Sequence, residues 1–119
     1  MIIHQKQTII VSGTRRPVDN EYIIDKVNSF ILTKKHNIYV GCANGVDKVI
    51  RSHFDYCDVF YAEWDKYGKR AGSLRNTKMI DSRIGYTTLV AFPHSTSRGT
   101  VHAINYAKKL GLEVVIFMV

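Results

Sequence analysis

Five short apolar runs alternate with stretches whose apolar residues recur at helical spacing, and this alternation constrains the fold more than any other feature of the chain. The runs are Thr8–Val11, Ile38–Val40, Asp58–Tyr61, Thr88–Phe92 and Glu113–Met118. Near-continuous apolar runs of that length suit strands buried on both faces. After the first run, Ile23, Ile24, Val27, Phe30 and Ile31 fall at i, i+1, i+4, i+7 and i+8, a single helical stripe. Asp19 or Asn20 can cap that helix, and Lys34-Lys35-His36-Asn37 closes it with cations. Val46, Val49, Ile50, His53 and Phe54 repeat the stripe, which reads His53 as a packed residue. A third helix is expected over Leu74–Ile84, with Leu74, Ile80 and Ile84 inward. A fourth carries Val101, Ile104, Ala107 and Leu110; Lys108-Lys109 suits its C-terminal dipole and Gly111 ends it. Strand–helix alternation predicts an α/β domain, about five mainly parallel strands with helices on both faces. At 119 residues the chain makes one domain, 1–119, and it shows no repeat or linker.

In open sheets of this kind, ligands lie beyond the carboxyl ends of the strands. Four turns fall at that edge, and all four are rich in Gly, Ser, Thr, Arg or Lys. The first is Ser12-Gly13-Thr14-Arg15-Arg16-Pro17. The second, Gly41-Cys42-Ala43-Asn44-Gly45-Val46-Asp47, runs from strand to helix. Such a turn presents amides to a phosphate, or needs glycine only for its backbone. It is neither a Walker A loop nor GxGxxG. Asp47 can cap the helix or accept a bond from a ribose hydroxyl. The third stretch, Ala62 to Met79, carries Trp64, the chain's only tryptophan, together with Tyr67, Gly68 and Gly72. Its five cations (Lys66, Lys69, Arg70, Arg75, Lys78) face two carboxylates, Glu63 and Asp65. Cations, amides and aromatic faces at a strand end suit an anionic, ring-bearing ligand; the plainer reading is a basic surface loop with a half-buried tryptophan. The fourth turn is Pro93-His94-Ser95-Thr96-Ser97-Arg98-Gly99-Thr100. His94 and His102 flank it, within reach of acid–base work near neutral pH.

Charge points the same way. Lys and Arg total 17 against 10 Asp and Glu, a net +7 that favours anionic partners: nucleotides, nucleic acid or phosphate esters. Cys42 and Cys57 are isolated, without the spacing of a metal site, and suit a reducing, cytoplasmic setting. No cofactor is called for. The start, Met-Ile-Ile-His-Gln-Lys, is too short and polar for a leader, and the longest apolar run, Val114–Val119, is far short of a membrane span. The Ile-, Lys-, Asn- and Tyr-leaning composition hints at an AT-rich bacterial or phage genome.

Four pieces together resemble a known family. Gly-Cys-Ala-Asn-Gly-Val-Asp (41–47), Ala-Glu-Trp-Asp-Lys-Tyr-Gly-Lys-Arg-Ala-Gly (62–72), Arg-Asn-x-x-Met (75–79), and Val-Ala-Phe-Pro (90–93) with Gly99-Thr100 are similar, in order, to the YspA-like branch of the SLOG superfamily. That superfamily also holds the LOG phosphoribohydrolases and the DNA-processing protein DprA. The resemblance implies a Rossmann-like domain that binds a nucleotide or nucleotide-derived molecule, as a sensor, a sequestering protein or a nucleotide-processing enzyme of bacterial or phage conflict, and it implies a homo-oligomer. Carried onto this chain, the ligand-binding positions are Gly13, Thr14, Arg15, Gly41, Ala43, Asn44, Gly45, Asp47, Trp64, Lys66, Tyr67, Gly68, Ala71, Gly72, Arg75, Asn76, Pro93, Ser95, Gly99 and Thr100. Arg75 matches the LOG arginine.

The chain departs from the family pattern twice. Cys42 stands where the turn usually has a second glycine, a side chain that narrows a phosphate's approach. Ala103 stands where the LOG enzymes have their catalytic Glu, and the loop before it is two residues longer. N-glycosidic cleavage usually needs a carboxylate; Glu63, paired with Arg75, or Asp47 would have to supply it. The main expectation is a nucleotide-derived ligand at the sheet edge, with phosphate on Arg75, Lys66 and the amides of 41–45 and 99–100. Arg75→Ala would then abolish binding with little loss of stability. The alternatives are a DprA-like nucleic-acid binder, a LOG-like hydrolase, or a protein-interaction module that kept the fold.

Overall fold

The computed structural model describes residues 5–95 and 97–119. Residues 1–4 and Thr96 of the fourth turn lie outside the described residues. The elements in chain order are β1 (Gln7–Gly13), α1 (Asn20–Ser29), β2 (His36–Gly41), α2 (Val46–His53), β3 (Asp58–Phe60), α3 (Trp64–Tyr67), a 3₁₀ turn (Gly68–Arg70), α4 (Ala71–Asp81), β4 (Tyr86–Phe92), α5 (Arg98–Lys109) and β5 (Glu113–Ile116). The five strands form one sheet in the order β3-β2-β1-β4-β5, and every neighbouring pair is parallel. This is the Rossmann-like α/β arrangement expected.

Period-two alternation divides the core. Ile9, Val11, Ile38, Val40, Val90 and Phe92 point to one face, where Ile23 and Val27 of α1 and Val46, Val49 and Ile50 of α2 cover them. Ile10, Tyr39, Leu89 and Ala91 point to the other, against Met79 and Ile80 of α4 and Ala103, Ile104 and Ala107 of α5. Each fully buried aliphatic or aromatic side chain contributes about 1.5–3 kcal/mol. Phe92, fully buried, stacks on Phe117 with ring centres 5.6 Å apart and meets Tyr22 edge-on. Buried Gln7 joins β1 to the chain after α1: its Nε2 donates to the Phe30 carbonyl at 2.6 Å, and its Oε1 accepts from the Leu32 amide at 3.0 Å.

Several expectations about helix faces need correction. Helix α4 starts at Ala71, three residues early, and ends at Asp81. Ile84 therefore lies beyond it, 46% exposed. The backbone of Ile84 is captured instead: Thr8 Oγ1 donates to its carbonyl at 2.7 Å and accepts from its amide at 2.9 Å. His53 is exposed because α2 ends there, and Phe54 turns inward in its place. Val101 and Leu110 lie on the solvent side of the α5 stripe, and β5 ends at Ile116, leaving Met118 exposed. Helix α1 stops at Ser29, and Phe30 and Ile31 pack from the turn that follows.

The sheet order sets where a ligand can enter. From β1 the chain crosses to β2 on one side, while β4 lies on the other. Connections leaving in opposite directions part the loops beyond β1 and β4 and open a crevice at this switch point.

Candidate functional site

The end of β1 is pinned from both sides. The Thr14 amide donates to the Phe92 carbonyl of β4 at 2.9 Å, and the Thr14 carbonyl accepts from the Val46 amide of α2 at 3.0 Å. Such close approach excludes side chains: a Cβ on Gly13 would sit 2.5 Å from Val46 Cγ2. Beyond the pinned strand ends is a cavity of about 440 Å³. It is walled by the β1 loop, the turn into α2, α3, the first turns of α4, and the N-terminus of α5.

Its floor is an Arg75–Asp47 cluster above Gly41. A Cβ on Gly41 would lie 2.5 Å from Arg75 Nη1 and 2.7 Å from Asp47 Oδ2, so glycine is what lets two charged groups settle on the strand. Arg75 is buried. Its Nε donates to Asn76 Oδ1 at 2.7 Å, and its Nη1 to Cys42 Sγ and the Phe60 carbonyl, both at 3.4 Å. Asn76 in turn donates to the Gly99 carbonyl at 3.1 Å, tying α4 to α5. Arg51 braces the turn from behind by donating to the Gly41 and Ala43 carbonyls at 3.0 and 2.7 Å.

Asp47 is buried and accepts from the Ala43 amide at 3.2 Å. Burial pushes its carboxyl above the ordinary range; Arg75, the Ala43 amide, Arg51 and Arg15 pull the other way without cancelling it. A carboxyl raised in the folded state favours folding below its unfolded value, and that contribution is lost as pH rises through the folded value. Asp47→Asn should therefore gain on the wild type as pH rises from about 4. Urea midpoints of both proteins across that range measure this, and parallel curves would contradict it.

The rim is cationic. Arg15, Arg16, Lys69 and Arg98 join Arg75 around the cavity, with Asp47 the one carboxylate among its described lining residues. Arg16 Nη1 lies 3.0 Å from His94 Nε2, and the Arg15 guanidinium lies 5.5 Å above the Trp64 ring. Ser97 begins α5 without capping it, because its hydroxyl accepts from the His94 amide at 2.9 Å. The first-turn amides of Arg98, Gly99 and Thr100 have no partner within their own helix and add positive potential. Beside them, the Ser12 hydroxyl donates to Thr100 Oγ1 at 3.5 Å. Chemically the arrangement suits a multiply charged anion, with one buried carboxyl on its floor.

No family model and no solved structure matches the chain. A curated protein does: the Gene 61 protein of Mycobacterium phage D29 is 43% identical over 120 residues, a match covering 92% of this chain and 94% of that protein. The chain belongs to the family of that phage protein. A likeness of this extent is not confined to one motif; it takes in most of the sheet and its loops. The relative's name gives a gene number rather than a chemistry, so function rests on the cavity.

Of the positions singled out from sequence, Gly13, Thr14, Arg15, Ala43, Asp47, Trp64, Gly72, Arg75, Asn76, Gly99 and Thr100 converge on the cavity. Asn44 lines an adjoining hollow with Arg15, Cys42 and Trp64, and Gly45 a cleft beside Lys48. The others do not reach the cavity. Gly41 lies beneath its floor. Glu63 is exposed outside it, so Asp47 is the candidate carboxylate that the fold brings to Arg75. Lys66 folds over its neighbour Tyr67, 5.1 Å from the ring centre, and both are exposed. Gly68 serves a turn with φ +58°, Ala71 and Pro93 are buried, and Ser95 is exposed next to His94. The phosphate cradle expected at 41–45 is partly spent, since the Ala43 amide is bound to Asp47.

Cys42 and Ala103, which depart from the pattern of the resembled superfamily, both take structural parts. Cys42 holds Arg75, and its sulfur also accepts from the Ala62 amide at 3.4 Å. Ala103 is fully buried against the sheet, so α5 offers no carboxylate at that position. His102 lies beside Thr77, outside the cavity lining. Sequence reasoning missed Ser12, Arg16, Lys69, Ser73, Ser97 and Arg98 as lining residues. A signal existed for two of them: Lys69, Gly72, Ser73 and Asn76 recur at i, i+3, i+4 and i+7, a small-polar face at helical spacing. Among the described residues there is no cluster of three metal-ligating side chains, and no helix is long and apolar enough to cross a membrane.

Proposed function

We propose that this protein binds a phosphate-bearing, nucleotide-derived small molecule in the cavity beyond β1 and β4, as a sensor, a sequestering protein or a nucleotide-processing enzyme. The observation that carries this is five cations against one carboxylate around about 440 Å³ at the switch point of a parallel sheet. Arg98, Lys69 and the first-turn amides of α5 suit phosphate oxygens. Asp47 suits a ribose hydroxyl. The likeness to the YspA-like branch of the SLOG superfamily supports the same ligand class, and also a homo-oligomer. Should the bound molecule be cleaved at its N-glycosidic bond, Asp47 is the carboxylate in reach.

Thermal-shift titration tests the reading. A nucleotide at about 100 times its dissociation constant should stabilise the domain by about 2.7 kcal/mol. Arg98→Ala, which removes an exposed side chain, should weaken the affinity about tenfold or more, roughly halving that stabilisation at the same ligand concentration, at little cost in stability. Chromatography of the same samples separates a bound ligand from a cleaved one. Stabilisation by oligonucleotides alone, falling steeply with salt, would move the site to the DprA-like reading; no response to any phosphate compound would reject both.

A further inference from the structure

The cavity has an anion-binding end and an aromatic end. At the aromatic end the chain's only tryptophan is held at the rim, 45% exposed. Gly72 lies against it: a Cβ there would touch the ring at van der Waals distance, 3.4 Å from Trp64 Cη2. Arg15 covers the ring, with its Cζ 5.5 Å from the centroid. Arg15 is itself exposed, and it borders the main cavity, the hollow beside Trp64 and the cleft along α2. It can therefore swing away without uncovering any core. The other aromatic of this stretch, Tyr67, lies under Lys66 and does not line the cavity.

We infer that Trp64 is the base subsite of this cavity, that a ligand's ring takes the indole face Arg15 now covers, and that this contact selects nucleoside phosphates over sugar phosphates. The inference rests on the anion-binding reading above and adds the ring that reading does not require. A guanidinium over an exposed indole is held weakly, whereas a base stacked on an aromatic side chain is worth ~10-fold or more in affinity. The exchange thus favours the ring. It also frees a guanidinium next to the phosphates that accompany the base.

Titration calorimetry with AMP, CMP and ribose 5-phosphate, alongside intrinsic fluorescence, tests this. Because the chain has one tryptophan, the emission reports on this position alone. AMP and CMP should each bind ~10-fold or more tighter than ribose 5-phosphate, which carries the same single phosphate, and change the emission. Trp64→Ala should erase the preference, bringing the nucleotides to the affinity of ribose 5-phosphate in the same variant, and Trp64→Phe should retain most of it. Equal affinities in the wild type, or a preference that survives Trp64→Ala, would overturn the ring subsite and leave the anion site standing. Failure of all three compounds to bind would overturn both.

Discussion

Gly45→Ala is expected to cost the domain about 3 kcal/mol or more, and to take the cavity with it. Gly45 has φ +68° and ψ −126°, a backbone conformation open in practice only to glycine. A Cβ there would run into the Thr14 carbonyl oxygen and lie 2.6 Å from the Arg15 carbonyl carbon and 2.7 Å from the Arg16 carbonyl oxygen. Backbone cannot swing aside as a side chain can, and Thr14 is held by its bonds to Val46 and Phe92. Gly111 supplies the control. It has φ +77°, but a Cβ added there would have no heavy atom within 4 Å, so Gly111→Ala meets only the conformational penalty, about 1–2 kcal/mol. Urea unfolding of the two variants separates the effects. Equal losses would show that the contact between the β1 loop and α2 carries no strain.

Arg75→Ala is expected to lose about 2–4 kcal/mol of stability as well as the response to anions. Read as a loop cation, Arg75 would be removable at little cost; buried on the cavity floor, it is not. Its loss leaves Asn76 Oδ1 without its donor, removes one of the two donors to Cys42 Sγ and takes from the buried Asp47 carboxyl the strongest of the groups that hold it down. Arg75→Lys keeps a charge but cannot reproduce the guanidinium's several bonds, so it should recover only part of the loss. Unchanged unfolding of Arg75→Ala would refute the floor as described. The comparison also explains why ligand contacts are better probed at Arg98, where a change in affinity is not confounded by unfolding.

The residues that were legible in the sequence share one property: their neighbours along the chain decide what they do. Val11, Val40 and Phe92 lie in buried strands because the runs around them are apolar on both faces, and the sheet bears this out, with β1 and β2 running on to Gly13 and Gly41. The loops after those strands were legible as a ligand edge because strand direction alone puts them there. The misread residues answer to distant partners. Ile84 left its helix because its backbone is bound by Thr8, 76 positions earlier. Lys66 and Tyr67 are the exception, turned onto each other by the short α3 and outside the cavity, while Lys69 and Ser73 reach it from the 3₁₀ turn and the first turn of α4.

The sequence by itself determined the strand–helix order, the parallel sheet that follows from it, and the basic, glycine-rich character of one edge, since periodicity and charge are properties of neighbouring residues. Only the tertiary structure decided which side chains meet. That Gly41 carries Arg75 on its surface, that Cys42 steadies that arginine from 33 positions away, and that Trp64 stands under Arg15 all depend on segments far apart in the chain. Such contacts follow from the crossovers of the sheet, which bring separate loops to one crevice, and no local pattern encodes the distance between them.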